Sequence, residues 1–407
     1  MSMNQDVLTM IESMAAHGTA PPEGCSLFGV GCEDAFSRLR HTYLKRSFSR
    51  GASTEKFVIG PFGSGKSHFL HQLMEHAREM DCASAKVTLN KDIDFTQNII
   101  VFKEIVREFR LPGSNRQGIA PLIEGCVERV RSKADEPAVR EVLVRAWISG
   151  LDQFDFDSSV YAFQLQQACR AYVDGNTERF SQLCRWLSGE FDDRTLCTEI
   201  GVSIMSKSEF AVQAKRASHT LFQFVKRAGF QGSVVCFDEA EQGFNVEKKK
   251  VEKIFSMLQA EINANMELKQ GAVMKVYALT PDLISRVDSF AALQQRLSDP
   301  GPGQSFFEGN TYAPKIDLSR RPDMLEDLRS IAKKLVELMY SEYGQELSMP
   351  LSLALDEAEA IAEQTYEEDL SSSSRRTLVK RVCTFLLKIY ETAEEIAVGN
   401  EDDEDEV

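Results

Sequence analysis

The chain has 407 residues, 43% of them apolar and 27% charged, with a net charge of −15. That is enough for two or three packed units with a sizeable core, at an ordinary soluble composition. No apolar run approaches the ~18 residues of a membrane helix, and MSMNQDVLTMIESMAAHG at the start lacks the basic and apolar regions of a secretion signal. Nine cysteines lie scattered without CxxC pairs or metal-ligand spacing, which fits buried free thiols in a reducing cytoplasm with no membrane partner. Nine acidic and no basic residues fall between Glu391 and Val407, so the body carries only −6. The acidic end reads as a disordered solvating tail, 399–407.

In chain order, residues 1–50 read as two helical pieces split by Gly18–Gly31. The second, Glu33–Arg50, sets Phe36, Leu39, Tyr43 and Leu44 on one face and Arg38, Arg40, Lys45, Arg46 and Arg50 on the other. A strand at Lys56–Ile59 leads into a glycine-rich loop and a helix over Lys66–Met80; another strand is expected at Ser84–Leu89. Residues 94–229 carry apolar positions three and four apart and predict helices, broken at Pro112-Gly113, Asp174-Gly175, Gly189 and Gly201. In this stretch Trp147 and Trp186 read as core. Strands return at Ser233–Phe237, Val273–Leu279 and Lys315–Leu318, followed by helices over 322–398. The whole reads as an α/β core (51–309) holding a helical insertion at about 94–229, between an N-terminal helical segment (1–50) and a C-terminal helical domain (310–398).

The strongest chemical signal is Gly60-Pro61-Phe62-Gly63-Ser64-Gly65-Lys66-Ser67, which fits G-x-x-x-x-G-K-[ST] with a strand before it and a helix after it. Its glycines let backbone N–H groups face a β-phosphate, Lys66 supplies a cation, and Ser67 offers a hydroxyl to Mg²⁺. The helix that follows aims its dipole at the same charge, so ATP with Mg²⁺ is the expected ligand. His68 would lie beside the phosphates. His68, His71 and His76 stand three and five apart, without the spacing of a metal pair.

An apolar strand ends in Asp238-Glu239, the Walker B pattern: Asp238 would hold Mg²⁺ through its water shell and Glu239 would polarise the attacking water. Thr280, at the end of VMKVYALT, fits either a γ-phosphate sensor or a helix cap before Pro281. Arg296 stands where AAA+ ATPases often carry a finger for a neighbouring subunit. The competing role is an ordinary exposed helical arginine. Arg376, with Arg375 as alternative, opens a C-terminal helix at the place of a sensor 2 arginine.

Lys66 and Asp238 are 172 residues apart, far more than the one or two βα units, on the order of 30 residues each, that usually separate such motifs. With this spacing go three stretches: RGASTEKFVIGPFGSGKSHFL (50–70), RWLSGEFDDRTLCTEIGV (185–202) and LFQFVKRAGFQGSVVCFDEAE (221–241). On these residues the chain resembles the BrxD-like ATP-binding proteins of BREX (bacteriophage exclusion) systems, from about residue 25 to 390. The resemblance implies an AAA+/ORC-like P-loop fold with a helical insertion and a C-terminal lid, and a role in anti-phage defence beside a helicase-like partner. Cys236-Phe237 departs from the aliphatic residues more usual there.

Two functions stand against each other: an AAA+ ATPase that remodels a DNA-associated assembly as a homo-oligomer, and a nucleotide-switched binding module with little turnover. DNA contact is a separate question. Lys248, Lys249, Lys250 and Lys253 could meet phosphates, or form a solvated face balanced by Glu247 and Glu252. No winged-helix segment is evident after the lid, which argues against autonomous DNA binding.

Overall fold

The computed structural model describes residues 7–90, 92–93, 95–239, 248–287, 290–299, 301, 303–320, 324–371 and 373–404. Two compact units are distinguished: Met1–Phe36 with Ile59–Glu75 and Asp317–Val407, and Ser37–Val58 with His76–Ile316. All nine cysteines are buried and free. Among the described residues no helix is long and apolar enough to cross a membrane.

The second unit is built on a five-stranded parallel sheet in the order β2-β3-β4-β1-β5. The strands are β1 (Thr54–Ile59), β2 (Cys82–Thr88), β3 (Gly232–Asp238), β4 (Val273–Leu279) and β5 (Lys315–Asp317). Every residue of β3 and β4 is buried, as expected of central parallel strands covered on both faces. Among the described residues seven α-helices connect β2 to β3: α5 (Asn98–Glu108), α6 (Ile119–Arg131), α7 (Pro137–Ser149), α8 (Ser159–Val173), α9 (Thr177–Leu187), α10 (Arg194–Ile200) and α11 (Lys207–Ala228). The starts of α8 to α11 are written in the sequence. Ser158, Asn176 and Asp193 each accept a backbone N–H as N-caps, and Ser206 with Glu209 forms a capping box. Gly229 at φ 107° ends α11. Trp186 is fully buried; Trp147 is half-buried and donates to the Arg227 carbonyl at 3.2 Å. Helices α12 (Lys248–Glu267), α13 (Pro281–Val287) and α14 (Ala291–Leu297) complete the unit.

In place of one helix over Glu33–Arg50, the chain forms α3 (Glu33–Arg38) and then a π-helix, Leu39–Ser47. Ser47 Oγ donates to the carbonyl of Thr42, five residues back, at 2.9 Å. The basic face is partly absorbed internally: Arg38 lies over the Phe306 ring at 4.8 Å, and Arg46 donates to the Tyr312 hydroxyl at 2.6 Å.

The first unit packs α1 (Val7–His17) against α15 (Met324–Tyr343), α16 (Leu351–Glu368) and α17 (Ser374–Glu404). Met10, Ile11 and Met14 enter one apolar core with Leu335, Ala358 and Leu386. The short α2 (Cys25–Phe28) and the start of α4 (Lys66–Glu79) belong here too. Helix α17 runs on to Glu404, through most of the segment expected as an acidic tail; residues 405–407 lie outside the described residues.

One sheet face combines aromatic stacking with buried charge. Phe237 and Tyr277 stack at 4.8 Å and 7°, and Phe57 joins Tyr277 at 5.4 Å. Beside them Glu261 of α12 pairs with Lys275 of β4 and Lys215 of α11, each at 2.8 Å. Burial alone would raise the Glu261 carboxyl, but the two lysines outweigh it and hold it at about 2. Glu55 of β1 is treated differently. Both its oxygens are buried without a hydrogen-bond partner, and burial pushes its carboxyl up to about 8 against the pull of Lys275. Unfolded, Glu55 ionises near 4.5; folded, it keeps its proton to about 8, so its contribution to stability is lost as pH rises through that window. Thermal unfolding of the wild type is expected to show this fall between pH 5 and 8, and Glu55→Gln is expected to flatten it. An unchanged slope in the variant would show that Glu55 is ionised in the fold.

Candidate functional site

The glycine-rich loop leaves β1 at a buried Ile59 and enters α4 at Lys66. Each glycine has its own reason. A Cβ on Gly60 would fall 2.2 Å from Ser64 Oγ, so no side chain fits. Gly63 and Gly65 adopt φ of 80° and 91°, where a Cβ is strained. Open space faces Gly65, with nothing within 4 Å of where its Cβ would stand.

Lys66 is only 8% exposed, and its Nζ donates to the carbonyls of Gly60 at 2.9 Å and Pro61 at 3.3 Å. The same ammonium lies 5.2 Å from the centroid of Phe62, whose ring is 72% exposed. Ser64 Oγ is buried with no hydrogen-bond partner. Ser67 is half-buried in the first turn of a 14-residue helix. An orphan hydroxyl, two left-handed glycines and a buried ammonium at a helix N-terminus fit a phosphate group.

Residues of the Gly18–Gly31 break back this helix, a role its sequence did not announce. Glu75 of α4 accepts the backbone N–H groups of Cys25 at 2.9 Å and Ser26 at 2.8 Å. A Cβ on Gly29 would stand 2.5 Å from Gln72 Oε1. His68 meets the Phe28 ring edge-on at 4.9 Å, and His71 Nδ1 lies 2.7 Å from the Pro21 carbonyl.

In the second unit, Asp238 ends β3 with 4% of its surface exposed. Its Oδ1 accepts the Glu239 N–H at 3.0 Å, and its Oδ2 lies 3.6 Å from Lys86 Nζ. Glu239 follows at φ 53°, left-handed for a non-glycine residue. Phe237 pairs with Tyr277, so Asp238 and Thr280 leave the sheet at the same edge from adjacent strands. Thr280 is 6% exposed, and its carbonyl accepts from Leu283 and Ile284 at the start of α13. The strand order sets β4 between β1 and β3.

The arginines are placed less simply. Arg296 is exposed on α14 and donates to Asn263 Oδ1 and the Ala292 carbonyl, both at 2.9 Å. Arg375 is locked to Asp327 at 2.6 Å, each side chain 13% exposed. Arg376 is exposed, its Nε a weak 3.4 Å from the Gly18 carbonyl. Lys253 is exposed on α12; of the expected lysine-rich run over 246–253, residues 246 and 247 lie outside the described residues. Gly60–Ser67, His68, Arg375 and Arg376 fall in the first unit; Asp238, Glu239, Thr280 and Arg296 fall in the second.

Residues 3–401 match a protein family described as the BREX system ATP-binding protein BrxC/D. No curated protein and no solved structure matches the chain.

The backbone of Glu239 yields a test independent of chemistry. A left-handed non-glycine residue costs on the order of 1 kcal/mol, which glycine relieves. Glu239→Gly is therefore expected to match or exceed wild-type stability, by up to about 1 kcal/mol in urea unfolding. A clear loss would mean that the Glu239 side chain carries a structural role.

Proposed function

We propose that this chain, which belongs to the BREX system ATP-binding protein family, binds ATP with Mg²⁺ at Gly60–Ser67 and hydrolyses it. Family membership associates it with the ATP-binding proteins of BREX anti-phage systems. The observation that carries the site is the loop itself: glycine-only conformations at Gly63 and Gly65 beside a buried Lys66 and an unsatisfied Ser64 hydroxyl.

In the proposed site, backbone N–H groups of residues 63–67, including those of Ser64 and Gly65, cradle the β-phosphate. Lys66 exchanges its loop carbonyls for the β- and γ-phosphate oxygens. Ser67 through its hydroxyl and Asp238 through the water shell would hold Mg²⁺, which when bound neutralises charge on the phosphate oxygens. Glu239, fixed at the end of β3, orients and deprotonates the attacking water. Thr280 meets the γ-phosphate or caps α13, and His68 packs beside the loop.

The finer architecture belongs to the same proposal: an AAA+-type core, the helices of about 94–229 as an insertion, and 310–398 as a lid whose Arg376 answers to nucleotide state. Arg296 is proposed as a finger toward a neighbouring subunit, which requires a homo-oligomer and release of Asn263. Arg375 is the poorer sensor because Asp327 already holds it. The work of hydrolysis is assigned to a DNA-associated defence assembly in the cytoplasm, with other defence proteins, a helicase-like one among them, making or sharing the DNA contact. The alternative, a nucleotide-switched binding module, predicts complex formation with negligible turnover.

Glu239→Gln decides between them. It is expected to bind ATP normally, to lower phosphate release by about 100-fold or more, and to abolish protection of cells against phage. Lys66→Ala is expected to lose nucleotide binding itself. Full protection by the Glu239→Gln variant would mean that binding, not hydrolysis, is the working step.

A further inference from the structure

Lys86 stands on β2 in register with Cys236, two residues before the end of β3. Residues two apart on a strand share a face, so Lys86 and Asp238 lie on the same side of the sheet. Its Nζ is 3.6 Å from Asp238 Oδ2, beyond a good hydrogen bond but a close Coulomb partner. The orientation of Asp238 is set by other bonds: the Glu239 N–H to Oδ1 at 3.0 Å, and the Leu89 N–H to its backbone carbonyl at 3.0 Å. Lys86 therefore contributes charge rather than geometry.

That charge has a physical reason. A carboxylate with only 5% of its side chain exposed is costly to keep ionised without a counter-ion. The same carboxylate is the one assigned to Mg²⁺. Two cations at one carboxylate repel, so the ammonium and a divalent ion compete for Asp238. Lys86 has a flexible four-carbon stem and keeps 26% of its side chain exposed, which leaves its head a path to water.

We propose that Lys86 is the resident counter-ion of Asp238, displaced when Mg²⁺ enters with the nucleotide. Metal entry is then a cation exchange. The buried carboxylate is compensated in both states, and nucleotide binding is set to demand more free Mg²⁺ than the carboxylate alone would need. This rests on the assignment of Asp238 to Mg²⁺ made above.

The test is isothermal titration of the full chain with a non-hydrolysable ATP analogue over a MgCl₂ series. Wild type is compared with Lys86→Met, Lys86→Arg and Asp238→Asn. Lys86→Met is expected to lower the half-saturating Mg²⁺ concentration about three- to tenfold. It is also expected to lower the melting temperature without metal, while enlarging the rise on adding Mg²⁺ and analogue. Lys86→Arg is expected to behave as wild type. Should Lys86→Met fail to fold, Lys86→Gln carries the same expectation. If Asp238→Asn raises the Mg²⁺ requirement but Lys86→Met leaves it unchanged or raises it, the exchange is overturned and the Asp238 assignment stands. If Asp238→Asn also has no effect, that assignment falls and the exchange falls with it.

Discussion

The central constraint on this protein is the burial of charge on a sheet covered from both sides. Strands β3 and β4 have no exposed residue, yet Asp238 and Lys275 sit on them and Glu55 and Lys56 sit on β1 beside them. Each is compensated in a different way. Lys275 is paired with Glu261. Lys56 is caged by the carbonyls of Thr311 and Ala313 and by the Tyr43 ring, and burial pushes it down to about 7. Glu55 keeps a proton. Asp238 takes a backbone N–H and the Lys86 charge. A buried ion without such a partner costs several kcal/mol. The helices are therefore placed as much by the charges they must answer as by apolar burial: α11 brings Lys215 and α12 brings Glu261.

The glycine-rich loop is arranged differently. Ser64 Oγ has no hydrogen-bond partner, and Lys66 is held by carbonyls of its own loop. A bond from an ammonium to an anionic oxygen is stronger than one to a neutral carbonyl, which favours exchange when an anion arrives. Behind the loop, Glu75 of α4 accepts the backbone N–H groups of Cys25 and Ser26, and Gln72 packs against Gly29.

Much of this was legible in the residues, for reasons that can be named. The β4 strand falls at Val273–Leu279 as expected, because a short run that is apolar except for Lys275, bounded by Gly-Ala and Thr-Pro, has no helical competitor. The helices of 94–229 announced themselves by period and by the turn residues between them. The π-helix did not, because Leu39–Ser47 carries the same apolar residues an α-helix would, and a slip to five-residue bonding leaves no compositional mark. The shared core of α1 with α15–α17 was equally hidden, since it joins residues more than 300 positions apart. Among the candidate residues, the loop and the Asp238-Glu239 pair were readable as motifs. Arg375 and Arg376 were not separable, because which one meets Asp327 depends on helix rotation, not on type. Lys86 was invisible, being one polar position in the strand SAKVTL.

The end of β3 draws these points together. Asp238 is part of the ladder, with its carbonyl bonded to Leu89 and its carboxylate bonded to the next N–H. Glu239, one residue on, has left the sheet and taken a left-handed conformation. Within two residues the chain passes from the most constrained backbone in the fold to a strained one. Strain of this kind persists only where its surroundings over-determine it. The Asp238 carboxylate does so by accepting the Glu239 N–H. The residue assigned to the metal thus also sets the backbone of the residue assigned to the water. The bond from the Glu239 N–H to the Asp238 carboxylate couples the charge at Asp238 to the backbone of Glu239.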